Sequence, residues 1–95
     1  MRFEWDEGKS TANLRVRGFD FEFASLVFDG PTAETEDRRV DYGERRFVAI
    51  GRADGIHLTV VYTDRARSRD VLVRRIISAR RSKRSERRIY EKAVG

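Results

Sequence analysis

Residues 45–63 read RRFVAIGRADGIHLTVVYT, and this stretch restricts the fold more than any other part of the chain. Two β-branched and aromatic runs flank Asp54-Gly55, a pair suited to the positive φ angles of a two-residue hairpin turn. The second run alternates. Ile56, Leu58, Val60 and Tyr62 fall on one face, and His57, Thr59, Val61 and Thr63 on the other. A hairpin of this length needs further strands and a covering layer before it is stable.

The flanking residues supply both. A weak, polar strand is expected over about 33–39, at a sheet edge, with the turn YGE (42–44) after it. Beyond the hairpin, the loop DRARSRD (64–70) leads into a last strand, VLVRRIISA (71–79), so the strands form an antiparallel meander. Uninterrupted alternation there sets Val71, Val73, Arg75 and Ile77 against Leu72, Arg74, Ile76 and Ser78. One of Arg74 and Arg75 must then project from an aliphatic face, which is costly unless an anion or a polar cleft receives it.

At the N-terminus, Phe3 and Trp5 alternate with polar neighbours in a short first strand. Asp6 caps a helix that runs to about Arg17, where Gly18 supplies a left-handed stop. Asp20 caps a second helix through FDFEFASLVF, with Phe21, Ala24 and Phe28 buried, and DGP (29–31) ends it. The segment 82–93 predicts a last helix whose thin stripe of Ser82, Ser85, Ile89 and Ala93 docks weakly and leaves room for a partner. The expected order is β-α-α-β-β-β-β-α, an α+β fold in one domain spanning 1–95.

Charge is divided unevenly. Residues 1–64 hold nine Lys/Arg against thirteen Asp/Glu, a net of −4, whereas residues 65–95 hold twelve against three, a net of +9. Such a block suits a polyanion or an acidic partner surface, or else a solvated helix. Several function classes are excluded. One His and no Cys rule out disulfides and the usual zinc sets, so neither a metal nor a cofactor is expected. GRADG is a hairpin and not a phosphate-cradling loop, and no Ser-His-acid spacing is credible with His57 on a strand. No apolar run reaches the roughly 20 residues of a membrane span, and the acidic N-terminus does not suit a secretory signal. A cytoplasmic protein without membrane contact is expected.

Read in order, FEWDEGKSTAN (3–13), FDFEFASLVF, GERR, IGRADG, VVYTDR and RIISARRSKRSERRIY resemble the BrnT family of type II toxins. The match covers about 90 residues. The resemblance implies a RelE-like fold and an endoribonuclease that halts translation by cutting RNA. It also implies a BrnA-type ribbon-helix-helix antitoxin, paired copies of the two proteins, and operator DNA held through the antitoxin. The chain departs from the family in one place. Val16-Arg17-Gly18 stands where relatives commonly have Lys-His-Gly, and a guanidinium cannot replace an imidazole in proton transfer, though Arg17 can bind phosphate.

Cleavage of RNA without a metal needs an aligned 2′-hydroxyl, stabilisation of the phosphorane charge, and proton movement at two oxygens. Guanidinium suits the second task because its planar fork holds two phosphate oxygens. From the family motif, Arg75 and Arg80 are expected to grip the scissile phosphate, with Arg52 in support. Tyr90 is a further catalytic candidate, although it could instead stack on a base or pack on the sheet. His57 and Glu44 are possible bases, and Glu86 is expected to form a structural ion pair. Arg81, Arg84 and Arg88, with Lys83 and Arg87, are cations for the RNA backbone or for an acidic antitoxin. Two non-enzymatic readings stand beside this one: a nucleic-acid-binding co-repressor module, and a purely partner-binding domain.

Overall fold

Asp54 and Gly55 adopt φ of 49° and 79°, forming the tight turn expected between β3 (Arg46–Ala53) and β4 (Ile56–Ser68). The computed structural model describes residues 1–95. The remaining elements are β1 (Arg2–Trp5), α1 (Glu7–Arg17), α2 (Phe21–Ser25), β2 (Ala33–Asp37), β5 (Val71–Arg81) and α3 (Arg84–Val94). A 3₁₀ turn over Leu26–Asp29 follows α2. The class is α+β.

The sheet runs β1-β5-β4-β3-β2. β2 to β5 form the antiparallel meander, but β1 pairs parallel with β5, so the sheet is mixed and not wholly antiparallel. α1 and α2 carry the chain from β1 across the sheet to β2 at its far edge, so β1 is free to enter beside β5 in the same direction. β4 also extends through most of the expected 64–70 loop, because Asp64, Arg65, Ala66 and Ser68 find partners on β5.

One face is covered by α1, α2 and the 3₁₀ turn. Phe19, Phe21, Ala24 and Val27 pack there on Ala53, Leu58, Val60, Ile76 and Ala79. The expected second helix is split, since the 3₁₀ turn tightens the chain before Gly30. Both N-caps form as read: Asp6 accepts from the Lys9 N–H at 2.9 Å and Asp20 from the Phe23 N–H at 2.8 Å. Gly18 ends α1 at φ 86°.

The other face is only partly covered, by α3. Its docked stripe is Glu86, Tyr90 and Val94; Ile89, in the expected stripe, is 54% exposed. The helix is rotated from expectation because the Tyr90 ring finds Ala33 and Ile50, while Glu86 finds Arg80. The aromatic ring and the ion pair together outweigh one Ile and one Ala.

β5 contains the irregularity that matters most for function. Val61 pairs with Ser78, but Tyr62 pairs with Ile76, leaving Ile77 as an extra residue. Strict alternation would place Arg75 and Arg80, five residues apart, on opposite faces. The bulge resets the phase. Arg75 lies across from Thr63 and Arg80 across from Thr59, and these two threonines share the α3 face of β4.

Arg74 consequently points to the helix-covered face, and an anion does receive it. Asp64 accepts from its Nε at 2.8 Å and its Nη2 at 2.9 Å, while the Tyr62 and Phe28 rings lie 3.9 and 4.8 Å from the guanidinium carbon. Tyr62 in turn donates to Glu34, and burial together with that carboxylate pushes its phenol pKa upward.

Gly51 leaves no room for a side chain under the helical layer: a Cβ there would stand 2.9 Å from Val27 Cβ and 3.0 Å from Thr32 Cγ2. Gly51→Ala is therefore expected to lower stability by about 1–3 kcal/mol through overpacking, read as a shift in the urea midpoint. An unchanged midpoint would show that the layer gives way at no cost.

Candidate functional site

The face that α3 leaves partly open carries the arginines. Arg52 pairs with His57, Arg80 with Thr59 and Arg75 with Thr63, so all three lie on one face of neighbouring strands. They do not converge. Four residues of β4 separate the partners of Arg75 and Arg80, roughly 13 Å along the strand, and each guanidinium has its own carboxylate. Arg75 donates from Nη1 to Glu4 Oε2 at 2.9 Å. Glu4 also accepts from Arg67, and these two arginines, Arg67 foremost, hold its carboxyl below the ordinary range.

Arg80 is held more firmly. Its Nη1 and Nη2 donate to the two oxygens of Glu86 at 2.7 and 2.8 Å. Glu86 occupies the third position of α3 and also accepts the Lys83 N–H at 2.7 Å, half of a capping box. The Arg80 hydrogen bonds, with that backbone N–H, pull the Glu86 pKa down to about 2 from an ordinary 4.5. Beneath this pair, the Thr59 and Ser82 hydroxyls are buried against each other at 2.8 Å. The expectation of a structural ion pair for Glu86 was right in kind, but its partner is Arg80 on the strand.

Tyr90 is buried. Its ring meets His57 edge-on at 5.3 Å between centroids, so packing is the role this structure gives its ring. The Tyr90 hydroxyl has no protein partner, and no buried side-chain polar atom goes unpaired, so the hydroxyl reaches solvent. Arg52 folds back toward the turn, its Nη2 lying 3.9 Å from where a Gly55 Cβ would stand. Glu44 is occupied by Arg65 and Arg46, Arg65 first, and both lower its pKa.

The remaining candidates divide. Arg84 and Arg88 stand exposed one turn apart on α3, with no carboxylate at ion-pair distance. Arg81 faces the other way, lining a hollow with Leu14, Phe19, Phe23 and Ile56 on the helix-covered side. It is not on the open face, because its neighbour Arg80 is and adjacent strand residues point oppositely. Arg17 donates from Nη1 to the Ala79 carbonyl at 2.8 Å. That carbonyl lies on the stretch of β5 beyond the end of β1, so Arg17 blunts an open sheet edge.

Sequence reasoning missed Arg39. Asp37, at the end of β2, accepts from the Arg39 Nε at 2.9 Å and Nη2 at 3.0 Å, and this pulls its pKa down to about 2. The Arg39 side chain remains 79% exposed, and its charge reaches Arg80, opposing the stabilisation that Glu86 gives. No local signal marked Arg39; β2 brings it in from the opposite edge of the sheet.

A cationic open face on a five-stranded sheet, with a helix anchored by the last strand's arginine, is the setting in which family membership can be judged. The family model described as "Ribonuclease toxin, BrnT, of type II toxin-antitoxin system" matches residues 5–86. The chain belongs to the BrnT toxin family. Among curated proteins, none matches. Family membership makes the chain a ribonuclease toxin, with RNA as substrate and an antitoxin as partner. The match runs from the last residue of β1 to the first turn of α3, so it includes Arg75, Arg80 and Glu86 and stops short of Arg88 and Tyr90. No helix is long and apolar enough to cross a membrane.

The lowered carboxylates set the acid response. Glu86 and Asp37 have folded values near 2 against ordinary values of 4.5 and 3.8. Their ionised forms therefore contribute stability in full above the ordinary values, and this is lost as pH falls toward 2. Urea midpoints are expected to drop between about pH 6 and about pH 2.5, and Glu86→Gln/Asp37→Asn to flatten that drop. A double variant with the wild-type acid slope would show that these pairs are not what acid breaks.

Proposed function

We propose that the chain is a RelE-like, metal-independent endoribonuclease forming a single toxin domain over residues 1–95. In this reading it cleaves RNA in the cytoplasm and so inhibits translation. The observation that carries the reading is the open face itself, where the Ile77 bulge sets Arg75 and Arg80 on the same side of the sheet as Arg52, and where the charge of Arg39 reaches Arg80.

The chemistry follows from charge. The 2′-oxygen attacks the adjacent phosphorus, the P–O5′ bond breaks, and the products are a 2′,3′-cyclic phosphate and a 5′-hydroxyl. One proton leaves the 2′-oxygen and one reaches the 5′-oxygen. Arg80, with Arg39 in reach, stabilises the charge gathering on the non-bridging oxygens. Arg75, roughly 13 Å along the strand, holds a neighbouring phosphate instead of the scissile one. Arg84 and Arg88 extend the track along α3, and the Tyr90 hydroxyl lies at its margin. Arg17 is assigned to the sheet edge and Arg81 to the opposite side, outside this track. A BrnA-type ribbon-helix-helix antitoxin, in paired copies, blocks the same cations and carries the complex to operator DNA.

One observation favours the non-catalytic co-repressor reading as the alternative. His57, the one residue whose ordinary pKa suits a general base, is edge-packed on Tyr90. A single assay separates the two readings. Purified protein is expected to cut RNA in the presence of EDTA, leaving cyclic phosphate ends. Arg80→Ala is expected to slow cleavage ~10²–10³-fold, while Arg81→Ala stays near wild type. Intact RNA together with binding that weakens steeply with salt would instead identify the co-repressor.

A further inference from the structure

Guanidinium has five N–H groups and two flat edges that can each meet a pair of oxygens: the side-on edge of Nε and Nη2, and the end-on edge of Nη1 and Nη2. Five arginines here give two N–H groups to one carboxylate. Arg38, Arg39, Arg45 and Arg74 all use Nε and Nη2. Arg80 alone uses Nη1 and Nη2, both to Glu86. Its Nη1 also donates to the Arg81 carbonyl at 3.3 Å. The groups left over are Nε–H and the second N–H of Nη2, which point the same way. In four of the pairs the carboxylate occupies the side-on fork; in the fifth it leaves that fork open.

We propose that Glu86 is a positioning residue, holding the Arg80 guanidinium end-on so that its free Nε–H/Nη2–H edge forms a fixed two-point receptor for an RNA phosphodiester. The inference rests on the ribonuclease reading and adds a role for a residue that touches no substrate. Glu86 is itself immobilised, by the Lys83 N–H and by its place in the first turn of α3. α3 is fixed in turn by Tyr90 on Ala33 and Ile50, and the Ser82 carbonyl accepts from Arg87 at 3.1 Å. The fork is therefore aimed before substrate arrives, and no side-chain ordering is spent when charge develops on the phosphorane. The positive charge of Arg39 also reaches Arg80, so an anion bound there relieves repulsion between the two.

The opposite role is physically distinct. If Glu86 were a latch that sequesters Arg80, removing its charge would release the cation and raise both binding and cleavage. Glu86→Gln distinguishes the two, because glutamine still serves at the third position of a capping box and has nearly the same size. Cleavage by wild type, Glu86→Gln and Glu86→Asp is measured as kcat and KM. In parallel, the arginine Nε–H signals of the full chain are followed by NMR during titration with 2′-O-methyl RNA, which cannot be cut.

The expected result is a kcat reduced ~10-fold in Glu86→Gln with a smaller change in KM, partly restored in Glu86→Asp. The Arg80 Nε–H should shift with 2′-O-methyl RNA in wild type and much less in Glu86→Gln. Equal or faster cleavage by Glu86→Gln overturns the proposal, and so does an Arg80 Nε–H that ignores the RNA. If wild type itself cuts nothing, the ribonuclease reading fails, and the NMR arm still decides whether Glu86 aims Arg80 at phosphate.

Discussion

The extra residue at Ile77 is the constraint on which the rest of the molecule depends. On one side of the sheet it lets Ile76 and Ala79 both enter the core beneath α2, although they are three residues apart. On the other it places Arg75 and Arg80 on a common face. A regular strand would have to bury one of these arginines among aliphatics, at the cost of an unpaired charge in the core. Bulges recur next to functional sites because they re-aim side chains in this way.

Arg75 and Arg80 on the open face are each paired with a carboxylate from another element. Glu4 comes from β1 and Glu86 from α3, while the nearby Arg39 takes Asp37, two residues before it at the end of β2. Like charges brought together on a sheet repel, and local acids limit the cost until a polyanion arrives. Arg74, on the opposite side, shows what a structural arginine looks like by contrast: its fork is filled by Asp64 and its faces are covered by two rings. Arg74 gives its side-on edge to Asp64, whereas Arg80 gives its end-on edge to Glu86 and keeps the side-on one.

Much of this was legible in residue order. Asp54-Gly55, the alternation of β4, the Asp6 and Asp20 caps and the Gly18 stop are local devices, and each formed where the spacing put it. Reading failed where partners were distant. The orientation of β1, the length of β4 and the rotation of α3 are all settled by contacts across the sheet. Ser85, Ile89 and Ala93 make an acceptable helical stripe, but the turn that carries Glu86 and Tyr90 had better partners waiting.

The sequence alone determined that the chain is an α+β domain built on an antiparallel hairpin, that its cations are gathered in the last third, and that its motifs are those of BrnT toxins. These properties reside in dihedral preference, periodicity and composition, which act within a few residues. Only the tertiary structure decided which arginines share a face, which carboxylate holds each one, and by which edge. Those depend on strand register and on one inserted residue, and a register shift of a single position exchanges the two faces of a strand.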